Sequence, residues 1–502
     1  MVALFLVGTL AMSYAWGMRG TPIGHGQGAM VPGAILGFFF AALAERLGMP
    51  NAWQNVTLFC GIGAAAMYYG GDMTYGQTIG LALDEAGGTF WHGMAGLFLK
   101  GVIWFGTAAG WLGMAVSAFL CARYAAWELP LALLVSIPLR ILGVRLLNRP
   151  HQPEAGRLPA IYFSKNRPEC WGGYLFVWVE LLVWMVCRGD AESLLISTLA
   201  ALGGGMGWFL GNLMQLWSHR PFKSGRLFLG RWNRAGVVNG WKIMECTIGA
   251  WGGCLGLLGF WLAYRRTTDA VVQTFEPWMQ NQTLADVLTL VWLALLLAYS
   301  VCSIRLQAQP PYRPELDRLK KLGLISAESY AKKNAAATDQ KPDGVSGLIL
   351  SHGDACDRLV YATIPLLLML SGSALAAQLT AGFVIVWVLM ERMLFGRFED
   401  FRHLTAIRIV FLSLSAVLLS AVLLSAQLCL YPAGGLKPAV LLAIDTAFYT
   451  LLVLMNDFRP KNIRAMRAEH SGWIRFFGAK LTTDLYFICC TAVTLIWYAA
   501  AC

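Results

Sequence analysis

The chain has 502 residues, 57% of them hydrophobic and 13% charged, a formal net charge of +11 and a mean hydropathy of +0.56. Soluble domains carry about 25% charged residues, so the composition excludes a soluble fold with a single anchor. Apolar runs recurring from end to end describe an all-α, polytopic integral membrane protein.

In chain order the apolar runs predict about 14 transmembrane helices (12–14), near 2–16, 31–47, 53–69, 93–121, 129–146, 171–187, 192–217, 240–264, 284–305, 358–372, 376–392, 407–429, 436–457 and 481–500. Residues 2–16 have neither a basic segment before them nor a cleavage site after them, and read as a first span rather than a signal peptide. If the spans alternate, one side of the membrane receives residues 17–30, 70–92, 140–170, 218–242, 305–358, 392–408 and 459–480, which hold 32 of the 39 lysines and arginines. Such a bias marks the cytoplasmic side. It implies a plasma membrane, of the bacterial inner-membrane kind, with large basic loops inside and both termini outside. The partners expected are the bilayer and a small-molecule substrate, with no nucleic acid and no cofactor. Interleaved basic and aromatic residues at 219–242 suit single-stranded nucleic acid in isolation, but in a membrane loop they read as topology charges. The 12 cysteines are scattered, with no C-x-x-C pair, and read as small packing residues.

Residues 14–33 hold six glycines and two prolines between two apolar runs, together with Arg19, His25 and Gln27. Glycine is a poor helix former, so irregular backbone is expected here, lining a cavity at membrane depth. An arginine beside exposed amides and the start of a helix suits an anionic group. The next stretch, 70–93, carries Asp72, Gln77, Asp84, Glu85 and His92 and no basic residue. It reads as a hydrated, acidic segment for substrate or coupling ion, with Asp84 and Glu85 as weak metal candidates.

Ionisable residues inside spans are costly and functional by default. Glu180, Glu245 and Asp445 are candidates for proton or coupling-ion transfer. Lys100 follows His92 and Gly96 on one helical face and joins the substrate-binding candidates. Gly106, Gly110 and Gly113 match Gly249, Gly253 and Gly256 in spacing, and Met67–Asp72 loosely matches Met206–Asn212. This suggests a parallel internal repeat in which Lys100 and Glu245 pair or line one cavity.

The hydrophilic segment 306–357 separates a glycine-rich part, 1–305, from a more aliphatic part, 358–502. Leu316, Leu319 and Leu322 form a short apolar face, Gly323 ends that helix and Ser326 can cap the next. Residues 314–334 thereby resemble the SHOCT motif, a short helical hairpin, which implies a protein contact. No family is suggested for the membrane body. The leading functional expectation is an ion-coupled carrier or flippase-like transporter for a small anionic solute or lipid-linked substrate, and more a carrier than an enzyme. The alternatives are a membrane-embedded transferase or hydrolase using His25 or His92 as base, and a non-catalytic scaffold or sensor working through 306–357.

Overall fold

The computed structural model describes residues 1–380 except 19–24, 53–54, 71–72, 74, 84–87, 165–166, 220–239, 266–277, 280, 309, 322–326 and 341–343. The spans expected beyond residue 380, and Asp445 with them, lie outside the described residues. Those described form helices and no β-strand. The long helices are α1 (Val2–Met18), α2 (His25–Arg46), α3 (Val56–Tyr69), the short α4 (Gly76–Leu83), α5 (Phe90–Cys121), α6 (Glu128–Leu147), α7 (Trp171–Cys187), α8 (Ala191–His219), α9 (Gly240–Tyr264) and α10 (Gln282–Ala308). After them come α11 (Arg313–Lys321), α12 (Ala327–Asn334) and α13 (Gly344–Arg358). A π turn at Leu359–Thr363, then α14 (Ile364–Leu370) and α15 (Ala374–Gln378), complete the described fold.

Among the described residues, five helices are long and apolar enough to cross a membrane: Gly28–Arg46, Phe90–Cys121, Glu128–Leu147, Ala191–Leu216 and Ile243–Tyr264. Helices α1, α3, α7 and α10 contribute shorter apolar stretches. Helix α8 lies between α5 and α9, α1 rests on α9 and α2, α2 on α3, and α6 pairs with α7. Most residues of α2, α3 and α5 are buried. The peripheral helices instead leave large apolar side chains outside: Leu131, Leu134, Ile137, Ile141 and Leu142 on α6, Val179, Val183 and Val186 on α7, and Leu284, Val287, Leu288, Val291 and Leu295 on α10. Their spacing of three and four residues gathers them into one stripe per helix. An apolar stripe of this length facing outward has lipid as its natural solvent.

One expectation is corrected. Helix α1 runs through Met18 and α2 already begins at His25, so much of the glycine-rich stretch is helical, with Pro32 inside α2. Tertiary packing outweighs propensity here. A Cβ on Gly33 or Gly63 would collide with the backbone of the other, and one on Gly37 would strike the Phe59 carbonyl, so these glycines let α2 and α3 touch backbone to backbone. Helix α13 passes through the π turn into α14, and Pro365, which lacks an N–H to donate back toward Tyr361, accounts for the widened turn.

The two glycine triplets serve different neighbours. Gly106, Gly110 and Gly113 admit Trp178, Leu181 and Ser193 of α7 and α8, whereas Gly249 and Gly253 admit Met12 and Trp16 of α1.

The 314–334 segment forms α11 and α12. Across them Tyr330 donates to Asp317 at 2.5 Å, Lys320 lies 4.2 Å from the Tyr330 ring centre, and Arg313 bonds Asn334, Ala337 and Asp339.

Candidate functional site

The face of α5 carrying His92, Gly96 and Lys100 receives an irregular segment that connects α6 to α7. His92 meets the Tyr162 carbonyl, and Gly96 leaves room for the Phe163 ring, which a Cβ would strike. One turn further, Lys100 reaches Glu169. The three contacts advance by one helical turn each, which is why the i, i+4, i+8 spacing in the sequence matters.

The Lys100–Glu169 pair is 2.6 Å long with side chains 1% and 3% exposed. Its groups are closely satisfied. Lys100 Nζ also donates to Thr78 Oγ1 of α4 at 2.8 Å, and Thr78 in turn donates to the Phe163 carbonyl at 3.0 Å. Glu169 Oε2 accepts from the backbone amides of Phe163 at 2.6 Å and Ser164 at 3.1 Å. Burying two charges is tolerable only with such complete hydrogen bonding. The network ties α4, α5 and the connecting segment into one unit.

Lys100 therefore meets Glu169, in place of the pairing with Glu245 suggested by the repeat. Glu245, buried on α9, accepts from the Trp241 indole at 2.9 Å. It borders an aromatic cluster drawn from five parts of the chain. Tyr75 packs edge-on against Trp208 at 4.6 Å and parallel to Trp241 at 6.1 Å. Trp104 lies 5.8 Å from Trp208 and 5.2 Å from Trp16, and its indole donates to the Met67 carbonyl. Trp16 stands next to the first glycine of the 14–33 stretch, and Tyr75 immediately precedes α4. The cluster thus joins the two stretches that the sequence singled out.

Glu180 sits midway along α7, 7% exposed. Neither carboxylate oxygen has a hydrogen-bond partner among the described residues. Trp184, one turn on, offers its indole without reaching hydrogen-bond geometry.

His25 and Gln27 lie in the first turn of α2, and Gln77 is half-buried on α4. Arg19, Asp72, Asp84, Glu85 and Asp445 are outside the described residues. Among the described residues no group of three His, Cys, Asp or Glu is placed to hold a metal ion. Glu169, Thr78 and the aromatic cluster were missed by sequence reasoning. Glu169 stands in a loop that reads as basic, and the tryptophans are indistinguishable from ordinary span residues. The signal available for Glu169 was the buried cation itself, since a lysine eleven residues into an apolar helix calls for a carboxylate somewhere in the chain.

The class that fold and site define is an all-helical bundle with several helices long and apolar enough to cross a membrane and buried ionisable groups between them. No family model, curated protein or solved structure matches the chain.

Proposed function

We propose that the protein is a multi-pass membrane transporter, an ion-coupled secondary carrier or flippase-like protein. Its substrate would be a small anionic solute or a lipid-linked compound. In this reading it lies in a plasma membrane of the bacterial inner-membrane kind, with about 14 spans, its basic loops cytoplasmic and its termini outside. The observation that carries the reading is Glu180. A carboxyl buried within an apolar helix, with neither oxygen hydrogen-bonded among the described residues, contributes nothing to packing that an apolar residue would not do better. Its use is exchange of a proton or small cation.

Arg19, His25, Gln27, Asp72 and Gln77, with His92 at the margin, would meet the substrate where the aromatic cluster joins the two glycine-rich stretches. Lys100, fully committed to Glu169 and Thr78, would hold the wall of that site in place rather than contact substrate. Glu245 and Asp445 would share the coupling path with Glu180.

The test is flux in proteoliposomes loaded with a pH-sensitive or sodium-sensitive dye and challenged with a panel of phosphate- and carboxylate-bearing solutes. The expected result is solute-driven ion movement in the wild type and at least a tenfold loss in Glu180→Gln. If no solute moves an ion, or if Glu180→Gln behaves as wild type, the reading is wrong.

A further inference from the structure

A cavity of about 370 Å³ opens at the end of the bundle that holds the Lys100–Glu169 pair. Five arginines line it from three separate places in the chain: Arg140 and Arg145 on the last turns of α6, Arg149 and Arg167 on the segment leading to α7, and Arg358 at the end of α13. Among the described residues Glu169 is the carboxylate in the lining, and both its oxygens are engaged, one by Lys100 and the other by two backbone amides. It does little to offset the arginines.

Arg140 lies with its guanidinium 4.9 Å from the Tyr174 ring centre. Arg149 is braced by the carbonyls of Asn148 at 3.0 Å and Glu169 at 3.4 Å. Arg140 and Arg149 are thereby held in place beside the cavity. Positive-inside loops need arginines on one side of a membrane, but they do not need residues 140 and 358 to converge on one cavity. Like charges gathered in a shared hollow repel one another unless an anion sits among them. Planar guanidiniums match phosphate oxygens in pairs.

We infer that this cavity binds a phosphate-bearing anionic group. The lining also includes Ile141, 47% exposed, on the outward apolar stripe of α6, with Leu142 and Leu146 beside it. A ligand with a phosphate head and an acyl tail would place the head among the arginines and lay the tail along that stripe. Basic pockets at the edge of membrane helices hold lipid headgroups in this way. A soluble phosphate compound would use the same arginines without the stripe. The inference is independent of the transport reading, since it concerns binding and involves neither Glu180 nor the aromatic cluster.

The test measures binding to the full-length, detergent-purified protein, using dihexanoyl phosphatidic acid as the lipid probe and inorganic pyrophosphate as the soluble one. The variants are Arg145→Gln/Arg167→Gln and, because a double change could disturb folding, the single Arg145→Gln at an exposed position. Unliganded thermal midpoints report folding, and Arg318→Gln on α11 is the basic control away from the cavity. The expected result is saturable binding of the lipid probe, weakened at least fivefold by Arg145→Gln, more by the double change, and unaltered by Arg318→Gln. Pyrophosphate binding with the same arginine dependence and no lipid binding would keep the phosphate site and overturn the lipid tail. Failure of both probes to bind, or binding that Arg145→Gln leaves unchanged, would overturn the site.

Discussion

The two ends of helix α5 treat charge in opposite ways. Ser117 and Lys100 lie about 26 Å apart along the helix. Around Ser117 the polar groups answer one another. Asp190 accepts from Ser117 at 3.0 Å, from Tyr124 at 2.7 Å and from the Ser193 amide at 3.0 Å, while Ser117 also meets Tyr264 at 2.9 Å. Arg123 pairs with Glu192 at 3.1 Å and Arg188 with Glu128 at 3.2 Å. Local sequence explains the assembly: Gly189 takes a left-handed φ of 61° to end the turn after α7, and Asp190 caps α8. At the Lys100 end, the buried Lys100–Glu169 pair consumes its own carboxylate, and five arginines share a cavity whose lining, among the described residues, holds no second one. One end locks helices together. The other gathers arginines from three parts of the chain around one cavity.

Substitutions can break this contrast. Lys100→Ala should have the largest effect, because it strands the Glu169 carboxylate in the interior. A loss of about 3–5 kcal/mol is expected, seen as a large fall in thermal midpoint in detergent. Lys100→Met with Glu169→Gln should recover much of it, and a double variant no better than the single would show that the pair is not the cause. At the opposite end Asp190→Ala removes a helix cap and the carboxylate that accepts from the Ser117 and Tyr124 hydroxyls, and should cost about 1–3 kcal/mol by the same measurement.

A pH series sharpens the comparison further. The Tyr124 phenol, in the turn after α5, is held above the usual tyrosine range, first by burial and then by the Asp190 carboxylate to which it donates. Its protonated form is favoured in the fold. The stability it contributes is therefore present below the unfolded pKa of about 10, and is lost as pH rises from there toward the folded value. The thermal midpoint should hold steady from neutral pH and then fall in alkaline buffer, and Tyr124→Phe should reduce that slope. An unchanged slope would assign it to other groups.

The smallest effect separates the ends by sign. In phosphate-free buffer, Arg145→Gln should raise the midpoint slightly, by the equivalent of about 0.2–1 kcal/mol, because it relieves crowding among cations. Arg188→Gln should lower it by a similar amount by breaking the pair with Glu128. If both variants move the same way, the charge imbalance at the Lys100 end has no energetic meaning.

Much of the helical framework was legible in advance. Among the described residues the expected spans 171–187 and 240–264 coincide with helices α7 and α9, and most of the others there agree with a helix within a few residues, since a long apolar run in lipid can satisfy its backbone only as a helix. The candidate site was legible in part. The spacing of His92, Gly96 and Lys100 marked the face of α5 that meets Tyr162, Phe163 and Glu169, and Glu180 stood out as a charge inside an apolar helix. The glycine-rich stretch was misread because helix propensity is local, whereas the contact of Gly33 with Gly63 is not.

What the sequence by itself determined is that the chain is helical and apolar, where most of the described helices run, and some of the buried positions that carry charge, Lys100, Glu180 and Glu245 among them. Those properties depend on runs and spacings of neighbouring residues. Only the tertiary structure decided that Lys100 meets Glu169, 69 residues away, that tryptophans from α1, α5, α8 and α9 converge near Tyr75, and that Arg358 joins Arg140 in one cavity. These depend on which helix packs beside which. That choice is made by the summed shape of whole faces, and no single segment records it.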